Sequence, residues 1–363
     1  MVRYLQTRGV TRVVWIDPYP VRLPSWRDLR RPHTRIHRER PANGAVTVIT
    51  PRALPVEPFA VGRAVNDWLS HAALLRRLRA MTHPDTLVVG IGRPSHLAVT
   101  AIASLPAARR FYDAMDDVPA FYQGAAASAV ARSEAAIAAR VDVVLASAVS
   151  LQEKFANPSV PVRLVPNACD VPALPSVAAT VALRMTSRMR PATAVFVGTI
   201  GAWFDWALVC RLATSMSDLT IDIIGPCHAR PAQPLPPNVR LLGELPHDDA
   251  MRHAAAATIG LIPFVLNTVT ASVDPLKYYE YRALGLPVLS SRFGTMAART
   301  AVDGVWFADT PDGAGAAVRA ARVSATTADL TADLTAARNA HDWSARFDAC
   351  ELPRLLIPGQ HTA

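Results

Sequence analysis

Lys277, Glu280 and Tyr281 stand at i, i+3 and i+4 in the stretch DPLKYYEYRALGLPVL, residues 274–289, a spacing that puts three side chains on one face of a helix. Pro275 suits a first-turn position and Gly285 the left-handed residue just past a helix end, so the first eleven residues read as a short helix. A short apolar strand starting at Pro287 follows. A lysine ammonium can meet a diphosphate, and a carboxylate one turn away can accept hydrogen bonds from two ribose hydroxyls. The competing reading is an ordinary surface ion pair at helical spacing. Lysine usage favours the first, because Lys154 and Lys277 are the only lysines among 38 basic residues. A chain that uses arginine almost everywhere else has a use here for a compact point charge.

Other chemistry-bearing groups sit where strands end. Gly198, Thr199 and Gly201 lie between a strand and a helix, so their amides either face a phosphate at a helix N-terminus or make a tight structural turn. Asp116 and Asp117 follow a strand; acids there can take or hold a hydroxyl proton, or cap a helix. Arg93 and His96 occupy a neighbouring strand end, the arginine as a candidate cation for an anionic ligand and the histidine as a polar contact to a ligand or a structural hydrogen bond.

The elements that must position these groups alternate between strand and helix. Strands are expected at 12–17, 45–50, 86–90, 111–115 and 141–147, with helices at 61–81, from Ser95 and at 133–139; residues 21–43, rich in Arg, Pro and His, read as a long loop. Such alternation implies a parallel sheet covered on both faces. The beginning is unusual, since residues 3–9 look like the end of a helix whereas a doubly wound domain opens with a strand and a Gly-rich turn. Either this domain lacks its first strand or the chain begins downstream of the true start, and the second is the expectation. Residues 172–192, crowded with Pro and Ala, read as a linker, after which the pattern restarts with strands at 193–197, 220–225, 239–243, 258–263 and 304–308 and a helix at 203–216. The expected fold is α/β with two Rossmann-like doubly wound domains, residues 1–171 and 193–340, and a segment 341–363 crossing back to the first. Ligands bind at the strand ends of such sheets.

Composition narrows the partners. The first 80 residues hold fifteen arginines against five acids, a net +10 where the whole chain carries +9. A field of that sign attracts nucleic acid or the cytoplasmic leaflet of a membrane, unless it merely marks a solvated face. No nucleic-acid module accompanies it, so no nucleic-acid partner is expected. There is no long apolar run or signal pattern, which points to a cytoplasmic protein, peripheral at the inner membrane face. Cys169, Cys210, Cys227 and Cys350 have no metal or disulfide spacing and no D-x-D motif ends a strand, so no metal is expected.

Pro275, Lys277, Glu280, Tyr281, Ala283, Gly285, Pro287 and Val288 together resemble the P-x-K-x-x-E-Y-x-A-x-G-x-P-V signature of GT-B glycosyltransferases related to family 4. The stretch from Phe196 to Trp206 resembles the start of their C-terminal domain, and Tyr112 to Asp117 resembles the Y-D-x-x-D-D segment of those that build teichuronic-acid-type polysaccharides. The resemblance implies a transferase moving a sugar from a UDP- or GDP-sugar to a saccharide or polyprenyl-diphosphate-linked acceptor in bacterial surface polysaccharide synthesis, with no cofactor beyond the nucleotide-sugar donor. It implies Lys277 on the phosphates, Glu280 on the ribose, Gly243 near the base, and Asp116 or Asp117 at the acceptor hydroxyl. Family 4 generally retains configuration. Ser272 stands eight residues before Glu280, where many relatives carry a glutamate on the donor sugar, so the donor sugar and the stereochemistry stay open. The alternative is an inactive protein of the same fold that binds a nucleotide or polysaccharide. A dehydrogenase is the poorest fit, because neither half carries the dinucleotide fingerprint.

Overall fold

The computed structural model describes residues 1–19, 21, 46–51, 53–54, 57–309, 312–322 and 326–358. The loop expected at 21–43 lies outside this set except for Val21, which is buried. The chain divides into two compact units, residues 1–165 with 347–363, and residues 166–346.

The first unit holds β1 (Val13–Ile16) and β2 (Val46–Ile49) as a parallel pair. A separate parallel sheet runs β3-β4-β5-β6, formed by Val88–Ile91, Arg109–Ala114, Val143–Ala146 and Val162–Leu164. No ladder joins the two sheets among the described residues. All four residues of β5 are buried, as a central parallel strand requires. The third helix is longer than the sequence pattern suggests, Gly124–Ala138, because the alanine-rich run before Ser133 is itself strongly helix-forming. Near the termini the Tyr4 ring lies 5.1 Å from Phe347 and its hydroxyl donates to Asp348, so the last residues group with the first unit.

The second unit is one six-stranded parallel sheet. Its strands are β7 (Thr193–Val197), β8 (Thr220–Ile224), β9 (Val239–Gly243), β10 (Ile259–Ile262), β11 (Val288–Ser290) and β12 (Val305–Phe307), in the order β12-β11-β10-β7-β8-β9. Numbered within the unit, that is 6-5-4-1-2-3, the doubly wound order, with its reversal between β7 and β10.

Residues 172–192 are not a bare linker. They carry the helix Val177–Ser187, capped by the Ser176 hydroxyl, which accepts from the Ala179 amide. The prolines crowd its flanks and leave an alanine-rich interior free to coil. Arg338, on the helix Thr327–His341, reaches the Pro175 carbonyl at 2.7 Å and the Thr180 hydroxyl at 3.0 Å, which fastens this helix into the second unit.

Candidate functional site

The helix Leu276–Ala283 leaves from the C-terminal side of β10 and returns to β11, so its N-terminal turn stands at the reversal point of the sheet. Pro275 is its N-cap, and Gly285 at φ +71° ends it with the Leu286 amide on the Tyr281 carbonyl and the Gly285 amide on Arg282. That pairing needs a left-handed residue, which is why the stop is a glycine. Beneath the first turn Asp274 is buried and its carboxylate is fully used: Oδ2 accepts from the Asn167 amide and the Tyr279 hydroxyl, Oδ1 from Thr295 and Arg299. Asp274 therefore anchors the helix start and is not offered to a ligand.

Lys277 and Glu280 are half-buried, and neither side chain has a hydrogen bond or ion pair among the described residues. The Lys277 ammonium lies 5.1 Å from the centroid of Phe196 on β7 and 5.5 Å from that of Phe264, just past β10. It also rests on Gly198, where an added methyl group would fall 2.7 Å from Nζ. The lysine thus sits on the turn after β7, across the reversal point. Burial lowers its pKa, opposed by the charge of Glu280. Burial raises that of Glu280, opposed by Lys277 and His247. Both shifts mean that each charge is under-solvated as it stands, and an anion on one and hydroxyl donors on the other would relieve that cost.

The other residues expected around a nucleotide divide. Gly198 has φ +141°, closed to side chains with a Cβ, and its amide donates to the Ile224 carbonyl at 2.8 Å. Thr199 is half-buried beside it, and Gly243 ends β9, two strands away. Gly201 is buried, and a Cβ there would strike the Trp203 ring, so it serves packing. The following helix begins at Trp206 instead of Trp203, because Asp205 is its N-cap and accepts from the Leu208 amide. The 198–201 turn is therefore not the N-terminus of that helix. Tyr281 is a correction as well: it is fully buried, and its hydroxyl accepts from the Val197 amide at 2.9 Å. It holds the helix to β7 and offers nothing to a ligand.

In the first unit, Arg93 follows β3 and Asp116 and Asp117 follow β4, the adjacent strand, so parallel pairing brings them to one edge. Arg93 is exposed and donates to the Tyr122 hydroxyl. His96 opens the helix His96–Ser104, and its Nε2 is 2.8 Å from Asp67, the structural alternative weighed for it. Asp117 stands at the N-cap of a short 3-10 turn but makes no capping bond. Instead its carboxylate is 2.6 Å from Lys154 Nζ, which also contacts the nearly inaccessible Glu134 at 2.5 Å; Tyr112 donates to Glu134 at 2.8 Å. Among the described residues the Asp116 carboxylate has no such partner. Burial, helped by the charge of Asp117, raises its pKa to about 6.

The sequence flagged Lys154 by its rarity but did not connect it to Asp117 or Glu134, which lie 37 and 20 residues away. The aromatic floor of Phe196 and Phe264 under Lys277 was also missed. Phenylalanines in apolar strands read as core, and both are core residues as well. Among the described residues no three His, Cys, Asp or Glu side chains gather as a metal site, and no helix is long and apolar enough to cross a membrane.

Two parallel α/β units, the second with a cation and a carboxylate at its reversal point, define a doubly wound class of architecture, in which ligands bind at the strand ends. Comparison with solved structures specifies it. The chain is similar to HepE of Anabaena in complex with UDP and glucose, at a TM-score of 0.56 and 12 % identity over 85 % of each chain. It is similar to sucrose-phosphate synthase from Thermosynechococcus elongatus, at 0.56 and 14 % over 85 % of this chain and 82 % of that one. It is also similar to α,α-trehalose 6-phosphate synthase from Burkholderia multivorans, at 0.52 and 13 % over 80 % and 74 %. The fold is GT-B. No protein-family model matches the chain, and no curated protein does.

Proposed function

We propose that this protein is a glycosyltransferase related to family 4 that moves a hexose-type unit from a UDP- or GDP-sugar to a saccharide or polyprenyl-diphosphate-linked acceptor, in the synthesis of a bacterial surface polysaccharide. The observation that carries the reading is the half-buried pair Lys277 and Glu280 at the reversal point of the second sheet, whose side chains make no hydrogen bond or ion pair among the described residues. Lys277 takes the diphosphate and Glu280 the ribose hydroxyls, while Gly198, whose amide is used by Ile224, leaves room for the lysine and Thr199 lies beside it. The complexes of HepE with UDP and with UDP-glucose support a uridine nucleotide as the first donor to test.

In the transfer, the bond from the anomeric carbon to the diphosphate oxygen breaks and one to the acceptor oxygen forms. The acceptor proton goes to the leaving phosphate if configuration is retained, which is the proposed course. Asp116 orients the acceptor hydroxyl, because the charge of Asp117 is already spent on Lys154.

Calorimetry with UDP and GDP tests the donor half. Glu280→Ala should weaken the preferred nucleotide at least about tenfold, the loss of a charge-assisted hydrogen bond, with an unchanged circular dichroism spectrum. Equal affinity in the variant and the parent would refute the role of Glu280. Nucleotide binding without turnover of any UDP- or GDP-sugar would favour the non-catalytic reading.

A further inference from the structure

One surface of the first unit has no role in the reading above. The helices Ala60–Asn66 and Ala72–Met81 run on through a π turn at Asp67–His71 without a break. Their inner side is buried through Gly62, Asn66, His71, Leu74, Leu75 and Leu78. A solvated outer face normally carries charge. Here it carries Val61, Trp68 and Leu69, with alanines at 60, 64, 72 and 73 between them, all exposed. Trp68 is 83 % exposed and Val61 75 %, and Phe59 extends the strip at its beginning. The two charged residues of this stretch are drawn away from it. Arg63 donates to the Glu57 carbonyl at 3.1 Å, and Asp67 is held by His96. The π turn helps, since one extra residue per turn lets Asp67 reach His96 while Trp68 and Leu69 stay outside. Where the apolar strip ends, Arg76 and Arg77 are exposed and without an ion pair among the described residues.

We propose that this face docks on the surface of an anionic membrane leaflet, with Trp68, Val61 and Leu69 entering the boundary between headgroups and acyl chains and Arg76 and Arg77 meeting lipid phosphates. An apolar helix face with a tryptophan, bordered by arginine, is the pattern that lies in such an interface. Charge decides between lipid and a second copy of the chain. The described charges at the end of the strip, Arg76 and Arg77, are both positive and exposed, so pairing two copies over it would bring like charges together, whereas an anionic leaflet neutralises them. This docking deepens the lipid-linked acceptor reading and rests on it only for its purpose, which is to bring the first unit to an acceptor held in the bilayer.

The test is co-sedimentation of the full chain with vesicles of phosphatidylcholine, with and without phosphatidylglycerol, alongside the nucleotide thermal shift on the same samples. The chain should bind the anionic vesicles and not the neutral ones. Trp68→Ser with Val61→Ser should lower binding at least about tenfold, and Arg76→Gln with Arg77→Gln by roughly tenfold to thirtyfold. All four positions are exposed, so circular dichroism and the nucleotide shift should not change. Anionic-vesicle binding that survives the serine pair, or that is absent in the parent, overturns the proposal. So does loss of concentration-dependent self-association in the serine pair, which would make the face a contact between copies. Vesicle binding without any nucleotide shift keeps this inference and sinks the donor-site reading instead.

Discussion

Lys277 and Gly198 occupy each other's space: the lysine ammonium lies where a side chain at residue 198 would begin, with Cε 2.6 Å and Nζ 2.7 Å from the position of an added Cβ. The absence of a side chain on the turn after β7 is what lets the cation reach the reversal point of the sheet. Gly198→Ala should therefore push Lys277 off its seat and strain a backbone at φ +141°, a conformation that costs a residue with a Cβ about 1–3 kcal/mol. UDP or GDP affinity should fall about as far as in Lys277→Met. Calorimetry showing parental affinity in the alanine variant would contradict this account of the seat.

Asp116 makes the protein sensitive to pH. Its carboxyl titrates at about 6 against an ordinary 3.8 because it is buried and beside Asp117. Between those values the folded protein holds the proton and the unfolded chain has released it, so this contribution to stability is full below about pH 4 and is lost as pH rises through about 6. Asp113 is raised to about 6 by burial as well, so Asp116→Asn should flatten only part of the decline in melting temperature between pH 4 and 7. Under the proposed mechanism, transfer by the parent enzyme should fall below about pH 6 as Asp116 takes up its proton. A melting profile of the same slope in the parent and the variant would rule out this titration.

Lys154 neutralises a carboxylate that has almost no access to water. Replacing it with Met leaves Glu134, whose side chain is 3 % exposed, without its cation, and an orphaned buried charge is expensive. Because the lysine is itself one-third exposed, the destabilisation should be about 2–4 kcal/mol in urea unfolding, larger than for Asp117→Asn, which leaves the Glu134 contact in place. Similar costs for the two variants would show that the exposed arm of the network dominates.

Tyr281→Phe separates support from binding. The change removes the acceptor for the Val197 amide and should cost about 1–2 kcal/mol of stability with nucleotide affinity unchanged. A tenfold weaker nucleotide complex at unchanged stability would return Tyr281 to the ligand site.

Much of the second unit was legible because its signals are local. The strands at 193–197 and 239–243 were read with the bounds they have, since apolar runs bounded by turn residues declare themselves. The left-handed stop at Gly285 followed in the same way from residue type. The start of the helix after β7 was misplaced by three residues because Asp205 acts as a cap only where the preceding loop is pinned, here by its own amide on the Pro263 carbonyl at 2.7 Å. That bond comes from the residue just past β10, more than fifty residues along the chain.

By itself the sequence determined which groups share an element: one turn of helix puts Lys277 and Glu280 on the same side, and periodicity alone suffices for that. It could not say that Tyr281, only one residue past Glu280, faces the sheet, because the edge between buried and open sides of a helix is drawn by what packs against it. Only the tertiary structure decided that the reversal of strand order lies under Lys277, that Asp117 is occupied by Lys154 while Asp116 is not, and that the outer face of residues 60–73 is apolar and uncovered. Each of these depends on strand order and on contacts between residues far apart in the chain, which local spacing does not encode.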